Sequence, residues 1–311
     1  MSDLFAPHFT LERRRVGEVT LNVRHDVGRQ PDALPVLLLH GFPQTHAIWH
    51  RVAVLLEAQA PGRYTLVMPD LRGYGDSDKP AGDAEHVAYS KRAMAADMHA
   101  LMSSFGFERY MVCGHDRGGR VAHRLALDTP QAVERLMLLD ISPTLTMYER
   151  TTMEFARLYY HWFFLIQPAP LPERLIGADP RVYLRTKLSL LGSSASLFDP
   201  RAFAEYERCF ADPAAIHAMC EDYRAAATID LEHDRADADQ RLACPVHVLW
   251  GARGVVHRLF TPLADWQAKC AAAVTGGPTP GGHYIPEESP ELLVRAMQAF
   301  FVDIGRGKNS A

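Results

Sequence analysis

The sequence predicts an α/β protein, with a mostly parallel central sheet covered by helices and an inserted helical cap. Three observations carry this. Short apolar runs ending at turns alternate with helix-patterned stretches up to about residue 145, as when parallel strands feed crossover helices. Between 146 and 240 the alternation stops, and the chain becomes helix-patterned, aromatic and punctuated by proline. The sheet pattern then resumes at Val246-His247-Val248-Leu249-Trp250. The expected division is a core of residues 1–145 and 241–311 with a cap of residues 146–240.

In chain order, residues 10–26 read as an opening pair of short strands. Val36-Leu37-Leu38-Leu39 reads as a buried strand that stops at the turn His40-Gly41-Phe42-Pro43. Thr45 through Leu56 reads as a helix. Tyr64-Thr65-Leu66-Val67-Met68 is a second interior strand, followed by Pro69-Asp70 and the loop Gly73-Tyr74-Gly75-Asp76-Ser77. Tyr89 through Phe105 has helical spacing, with Met94, Met98, Leu101 and Met102 as a core-facing stripe and Gly106 as its stop. Tyr110-Met111-Val112-Cys113 is a strand, Arg117 through Leu127 the helix after it, and Leu136-Met137-Leu138-Leu139 a further strand ending at Asp140. The cap segment holds Tyr159-Tyr160-His161-Trp162-Phe163-Phe164 and Gln167-Pro168-Ala169-Pro170. A short strand is expected at Ala271–Val274, then Gly281-Gly282-His283 and a closing helix near 290–302. Helices inserted above the strand ends would roof the crevice where open parallel sheets bind ligands.

Composition narrows the function. The 311 residues are 48% hydrophobic and 23% charged, enough for a sizeable core. A formal net charge of -4 with no Lys/Arg block gives no footprint for nucleic acid. No apolar run approaches the roughly 20 residues of a membrane span, and Met1-Ser2-Asp3-Leu4-Phe5 does not open like a secretory signal. The five cysteines (113, 209, 220, 244, 270) are odd in number and contain no CxxC, which suits reduced thiols in a cytoplasmic protein.

The chemistry centres on Gly114-His115-Asp116-Arg117-Gly118-Gly119. Small-x-nucleophile-x-small spacing between a strand and a helix is a nucleophile elbow, but here a carboxylate holds the nucleophile position. A carboxylate is a sensible nucleophile toward a saturated carbon bearing a leaving group, giving an ester on the protein. Asp116, Asp140 and His283 each follow a predicted strand, so the sheet would bring them to one edge. His283 would take a proton from water, with Asp140 fixing its tautomer. The loop Gly251-Ala252-Arg253-Gly254-Val255-Val256-His257-Arg258, a rival position for the acid, contains no carboxylate. Asp140 is therefore favoured, with Asp265 and Glu287 left as alternatives. The backbone N–H groups of Phe42 and Arg117 are expected to stabilise the oxyanion of ester hydrolysis. Arg117 and Arg120 lie three apart on one helix and can share a face, where their donors would suit a substrate carboxylate. In the cap, His161, Trp162 and Tyr223 offer donors on largely apolar bodies, suited to a departing halide.

The sequence resembles the haloacetate dehalogenases of the α/β-hydrolase superfamily, and among them the fluoroacetate dehalogenases. The matching stretches are His40-Gly41-Phe42-Pro43-Gln44-Thr45-His46, Asp70-Leu71-Arg72-Gly73-Tyr74-Gly75, Gly114-His115-Asp116-Arg117-Gly118, Leu139-Asp140-Ile141, Tyr160-His161-Trp162, Gln167-Pro168-Ala169-Pro170-Leu171-Pro172, Cys220-Glu221-Asp222-Tyr223-Arg224 and Gly282-His283. The resemblance spans nearly the whole chain. It implies the α/β-hydrolase fold and hydrolytic dehalogenation of short 2-haloacids such as fluoroacetate or chloroacetate. By residue it implies Asp116 as nucleophile, His283 as base with Asp140 as its partner, Arg117 and Arg120 on the carboxylate, and His161, Trp162 and Tyr223 around the halide. It further implies no metal or organic cofactor, a small anionic substrate and a homodimer. One departure is visible. The fluoroacetate enzymes carry a pocket tryptophan in the segment corresponding to Lys187-Leu188-Ser189-Leu190-Leu191-Gly192, where this chain has leucines, so halogen preference and tolerated acid length stay open. Two other readings compete: an epoxide hydrolase using the same Asp nucleophile with cap tyrosines Tyr159, Tyr160 or Tyr223, and a non-catalytic hydrolase-like binding protein.

Overall fold

The computed structural model describes residues 4–190 and 197–302. Its frame is an eight-stranded sheet in the order β1-β2-β4-β3-β5-β6-β7-β8. The strands are β1 (Thr10–Val16), β2 (Val19–His25), β3 (Leu34–Leu39), β4 (Tyr64–Pro69), β5 (Tyr110–His115), β6 (Val133–Leu139), β7 (Val246–Gly251) and β8 (Thr275–Thr279). β1 and β2 form the antiparallel hairpin that the opening residues predict, β2 pairs antiparallel with β4, and the remaining neighbours are parallel.

The interior strands alternate in sequence, and that alternation builds two cores. Leu37, Leu39, Val112, Leu136, Leu138 and Val248 enter one apolar cluster, whereas Val36, Leu38, Met111, Cys113, Met137 and Leu249 enter another. Each strand buries both faces, as a parallel sheet between helical layers requires. On the second face lie α1 (His50–Gln59) and α15 (Pro290–Phe300), which pack together. On the first lie α2 (Lys91–Ser104) and α3 (Arg117–Asp128), also in mutual contact. Met94, Met98, Leu101 and Met102 are all buried in that layer.

Between β6 and β7 the chain is helical: α4 (Thr144–Glu149), α5 (Met153–Leu158), α6 (Tyr160–Phe164), α7 (Leu171–Ala178), α8 (Pro180–Leu190), α9 (Pro200–Phe210), α10 (Pro213–Ala227) and α11 (Ile229–Ala236). Asp199 and Asp212 cap α9 and α10 by accepting from Arg201 N–H and Ala214 N–H, and each helix opens with proline, which needs no amide partner at its first position. α12 (Val255–Leu259), α13 (Pro262–Gln267) and α14 (Ile285–Glu288) complete the set before α15.

Two elements differ from expectation. The helix expected from Thr45 begins as a 3₁₀ turn, His46–Trp49, with Thr45 as its cap, before α1 proper. The strand expected at Ala271–Val274 lies instead at Thr275–Thr279. Its Gly276-Gly277-Pro278 core looks like a turn in sequence, but pairing with β7 overrides local propensity. Gly276 has φ +133, and a Cβ there would meet the Val248 carbonyl oxygen at 1.9 Å, so only glycine serves.

Candidate active site

The elbow is built by close backbone approach. Asp116 has φ 48 and ψ -114 at the junction of β5 and α3, a conformation that costs a non-glycine residue of order 1–3 kcal/mol and clusters at functional sites. A Cβ on Gly114 would meet Gly118 O at 2.6 Å, and one on Gly118 would meet His40 O at 2.3 Å. The two small residues of the motif are therefore steric necessities. A Cβ on Gly41 would strike Asp116 Cβ at 2.5 Å, which is why the His40-Gly41-Phe42 turn can lie directly over the nucleophile position.

Three strand ends meet there. Asp116 follows β5, Asp140 follows β6 and His283 follows β8, and all are buried. Asp140 Oδ2 lies 2.5 Å from His283 Nδ1, and Asp140 Oδ1 accepts from Gly251 N–H at 2.9 Å. A carboxylate partner makes Nδ1 the donor, so the other ring nitrogen faces Asp116, with Nε2 at 3.8 Å from Asp116 Oδ2. That separation is too long for a direct hydrogen bond. Asp116 Oδ1 accepts the Phe42 N–H at 3.0 Å. His115 approaches the His283 carbonyl through Nε2 at 2.8 Å, so that nitrogen carries a proton and braces the histidine loop.

The electrostatics separate the two carboxylates. Burial alone would raise Asp116, but His283, His115, Arg120 and Arg117 outweigh it and hold its pKa below the ordinary value. Asp140 stays raised by burial, despite its bond to His283. Asp116 is thus kept ionised, with two guanidiniums as the standing positive charges beside it. The alternative acids are engaged elsewhere: Asp265 pairs with Ser142, Thr261 and Arg150, and Glu287 accepts from Tyr206 at 2.7 Å.

The arginines are buried side by side on α3. Asp222 of α10 takes Arg117 Nε at 2.9 Å and Nη2 at 2.7 Å. Arg117 is therefore an internal ion pair as well as a pocket residue, with only Nη1 unpartnered. Asp222 also accepts from Tyr74 Oη at 2.6 Å and pairs with Lys91. Arg120 gives Nη1 to Thr144 Oγ1 at 2.8 Å and to Ser142 O at 3.2 Å, and keeps Nε unpartnered. Arg117 therefore retains both N–H groups of Nη1, and Arg120 retains its Nε–H beside an Nη2 that donates to Met147 Sδ at 3.2 Å. Their flat faces stack on cap rings: Arg117 on Tyr223 at 4.2 Å and Arg120 on Trp162 at 4.7 Å.

The cap supplies the rest. His161 and Trp162 sit on α6 and Tyr223 on α10. Their rings converge, with His161 at 5.7 Å and Trp162 at 6.4 Å from Tyr223, and Phe42 at 5.3 Å from Tyr223 closes the group onto the oxyanion turn. His161 Nδ1, Trp162 Nε1 and Tyr223 Oη are buried with no protein partner. Three convergent unpartnered polar atoms are costly in a merely structural core. Burial holds His161 well below its ordinary pKa, so it is neutral and carries one N–H.

Several residues here have no role in the sequence reading. Asp222, Lys91 and Tyr74 orient Arg117. Tyr148, whose hydroxyl is buried and unpartnered, lies tilted against Trp162 with ring centres 4.9 Å apart. Lys187 of α8 is buried near Tyr159. For Asp222 the sequence does carry a signal: an Asp-Tyr pair within a helix whose neighbours, Ala218 through Ala226, are small or amphipathic enough to be buried together.

Comparisons with known proteins agree with this geometry. The alpha/beta hydrolase fold family matches residues 35–290. The chain is 46% identical over 299 residues to a fluoroacetate dehalogenase from Burkholderia sp, covering 95% of each chain. It is 35% identical over 274 residues to a soluble epoxide hydrolase from Corynebacterium sp. (strain C12), covering 87% of this chain and 91% of the other. A solved protein from Nostoc sp PCC 7120 superposes with a TM-score of 0.89 at 52% identity, over 94% of this chain and 97% of that one.

Proposed function

Since the chain belongs to the alpha/beta hydrolase family, we propose that it is a haloacid dehalogenase that hydrolyses short 2-haloacids through an ester on Asp116. The observation that carries this reading is the pairing of an ionised Asp116 with two arginines that each keep a guanidinium nitrogen free of protein partners. A neutral epoxide has no use for that arrangement; a haloacetate carboxylate does. The similarity to a fluoroacetate dehalogenase supports it.

In the first step, Asp116 Oδ2 attacks the carbon bearing the halogen. The C–O ester bond forms as the C–halogen bond breaks, and its electron pair leaves as halide toward His161, Trp162 and Tyr223. Arg117 Nη1 and Arg120 Nε hold the substrate carboxylate and offset its repulsion from Asp116, so that proximity does much of the work. In the second step, His283 Nε2 takes a proton from water, and the hydroxide adds to the Asp116 ester carbonyl. Asp140 steadies the imidazolium. The oxyanion forms at Oδ1, already in contact with the Phe42 N–H, with the Arg117 N–H as second donor. Collapse breaks the ester bond, the leaving hydroxyacid oxygen takes the proton from His283, and the carboxyl group left on Asp116 releases its proton to solvent, which restores the carboxylate. No step requires a cofactor.

The same proposal includes a core of 1–145 and 241–311 with a cap of 146–240, a cytoplasmic setting and a homodimer. The first boundary falls within α4, and the second lies in the loop between α11 and β7. No helix among the described residues is long and apolar enough to cross a membrane. Exposed Leu171 and Leu175, one turn apart on α7, with Val182 on α8, offer an apolar face for a second copy.

The test is incubation with fluoroacetate, chloroacetate, 2-chloropropionate and styrene oxide, measuring halide and diol. Halide from the acids is expected; diol from the epoxide alone would replace the reading with epoxide hydrolysis, for which the Tyr223 hydroxyl is the acid. With a confirmed substrate, His283→Asn should accumulate the ester on Asp116 as a protein mass increase.

A further inference from the structure

Lys187 has no part in the chemistry above, yet it is only 2% exposed. It lies one turn after Leu184 on α8, on the side that this helix buries. Its Nζ sits 5.8 Å from the centre of the Tyr159 ring. Asp116 is the charged group that acts on it, and Lys187 in turn is the cation that acts most on His161. The Tyr159 ring that its amine approaches lies 5.2 Å from the His161 ring, which places the amine beside the halide side of the pocket.

Among the described residues, no hydrogen bond or ion pair reaches that amine. The neighbouring acids are committed elsewhere. On α9, Glu207 pairs with Arg185 and Tyr206 donates to Glu287. On α7, Glu173 pairs with Arg224 and His217. On α6, His161 is neutral. Burial consequently pulls Lys187 down to about 7, with Asp116 opposing the fall. An amine in this condition is poised between its neutral and charged forms, and an anion entering the pocket favours the charged one.

We propose that Lys187 is a third, conditional cation of the pocket, which takes a proton from solvent when a halide occupies the His161-Trp162-Tyr223 side and holds that halide until release. This rests on the dehalogenase reading and deepens it. By linkage, an anion that promotes protonation binds more tightly when the amine is already charged. Lys187 thereby sets the halide affinity and its pH dependence, and it ties product release to loss of a proton.

The experiment uses the whole protein with bromide and chloride as probes. Turnover of chloroacetate by the wild type is measured first; no halide release would sink the dehalogenase reading and this inference with it. In an active wild type, bromide inhibition should weaken as pH rises from 6 to 8.5, on the scale of about tenfold per 1.4 kcal/mol of lost attraction. Bromide binding at pH 7.5 in weak buffer should take up a fraction of a proton per site. Lys187→Met should bind bromide about tenfold more weakly, with no such uptake. Lys187→Arg, charged throughout, should restore tight binding without restoring uptake. An active wild type that takes up no proton on binding bromide overturns the proposal, whatever the variants do. So does a folded Lys187→Met variant with unchanged bromide affinity, or a Lys187→Arg variant as weak as Lys187→Met.

Discussion

Asp116, Asp140 and His283 hang from three strand ends, with Asp140 bonded to His283 and Asp116 to the Phe42 N–H, whereas His161, Trp162 and Tyr223 arrive on cap helices with buried polar atoms committed to no protein partner. The core half is an internally closed device: each carboxylate has a backbone N–H, and the histidine has a fixed tautomer. The cap half is open by construction, with Lys187 as its extreme case. The difference teaches where each kind of control resides. Geometry that must not vary is fixed by parallel strands, whose ends share one edge. Geometry that selects a substrate is left to side chains on a separate helical layer. Asp222 is the bridge, since it reaches from the cap to hold a core arginine.

The sharpest way to break the comparison is to disturb the closed half without changing its shape. Asp140→Asn keeps the volume but presents an amide to His283 Nδ1, favouring the wrong tautomer. Turnover should fall by about 10³–10⁴-fold while bromide affinity stays within about twofold, because no cap donor has moved. If halide binding fell in parallel, the two halves would not be separable.

Asp222→Asn attacks the bridge. It leaves Arg117 buried without its anion and Lys91 with only Asp230, at 3.4 Å, and breaking a buried pair from one side costs about 3–5 kcal/mol. The expected result is a much lower melting temperature and, at a permissive temperature, a KM for haloacids raised about 10- to 100-fold. The pH dependence has a definite sign. Burial opposes the ionisation of Asp222, but Arg117 and Lys91 dominate and hold its folded-state pKa well below the ordinary value. Its stabilisation is therefore complete above the unfolded pKa of about 3.9 and is lost as pH falls from there toward the folded value. The gap between wild type and Asp222→Asn should be constant at neutral pH and shrink below about pH 4. A gap that widened in acid would contradict the ion pair.

How far these halves can be read from the sequence also differs. The core half is legible because its signals are local: glycines at fixed offsets around Asp116, and chemical residues placed just after apolar runs. Gly114 and Gly118 are dictated by backbone contacts that any elbow must make. The cap half has no local signature, since its helices are short and tertiary contacts choose which aromatic ring faces the pocket. His161, Trp162 and Tyr223 stand out in the sequence as donors on apolar bodies, but their convergence does not. Lys187 reads as an ordinary charge on an amphipathic helix, and only burial singles it out. β8 is misplaced for a related reason. Its glycines serve a close approach to Val248 that no single segment reveals.

Within the open half, Trp162→Phe keeps an aromatic ring in the buried site and removes the Nε1 donor together with part of the indole's bulk. Loss of one preorganised donor costs about 10²-fold or more where charge develops fully, and less where several donors share it. A drop in kcat of about 10- to 100-fold is expected, larger for fluoroacetate than for chloroacetate, because fluoride carries its charge on a smaller atom. Equal losses for both acids would assign Trp162 to packing alone.

The smallest effect belongs to the rim, where cap and core also touch through charge. Arg208 of α9 reaches Asp76 at 2.6 Å, and both side chains are about half exposed. The chemistry of this pair matches that of Arg117 and Asp222, so it isolates what burial contributes. In water the Coulomb gain is small, salt screens it, and two mobile side chains must be ordered, so such pairs contribute about 0–1 kcal/mol. Arg208 also pairs with Glu205 on its own helix, which leaves Asp76 free to hydrate when the arginine is removed. Arg208→Gln should therefore shift the melting temperature by no more than about 1–2 °C, with a difference that vanishes at high salt. Haloacid KM should stay within about twofold. A destabilisation approaching that of Asp222→Asn would mean that the cap is held at its rim, and the buried bridge would lose its place as the main electrostatic tie between the two halves.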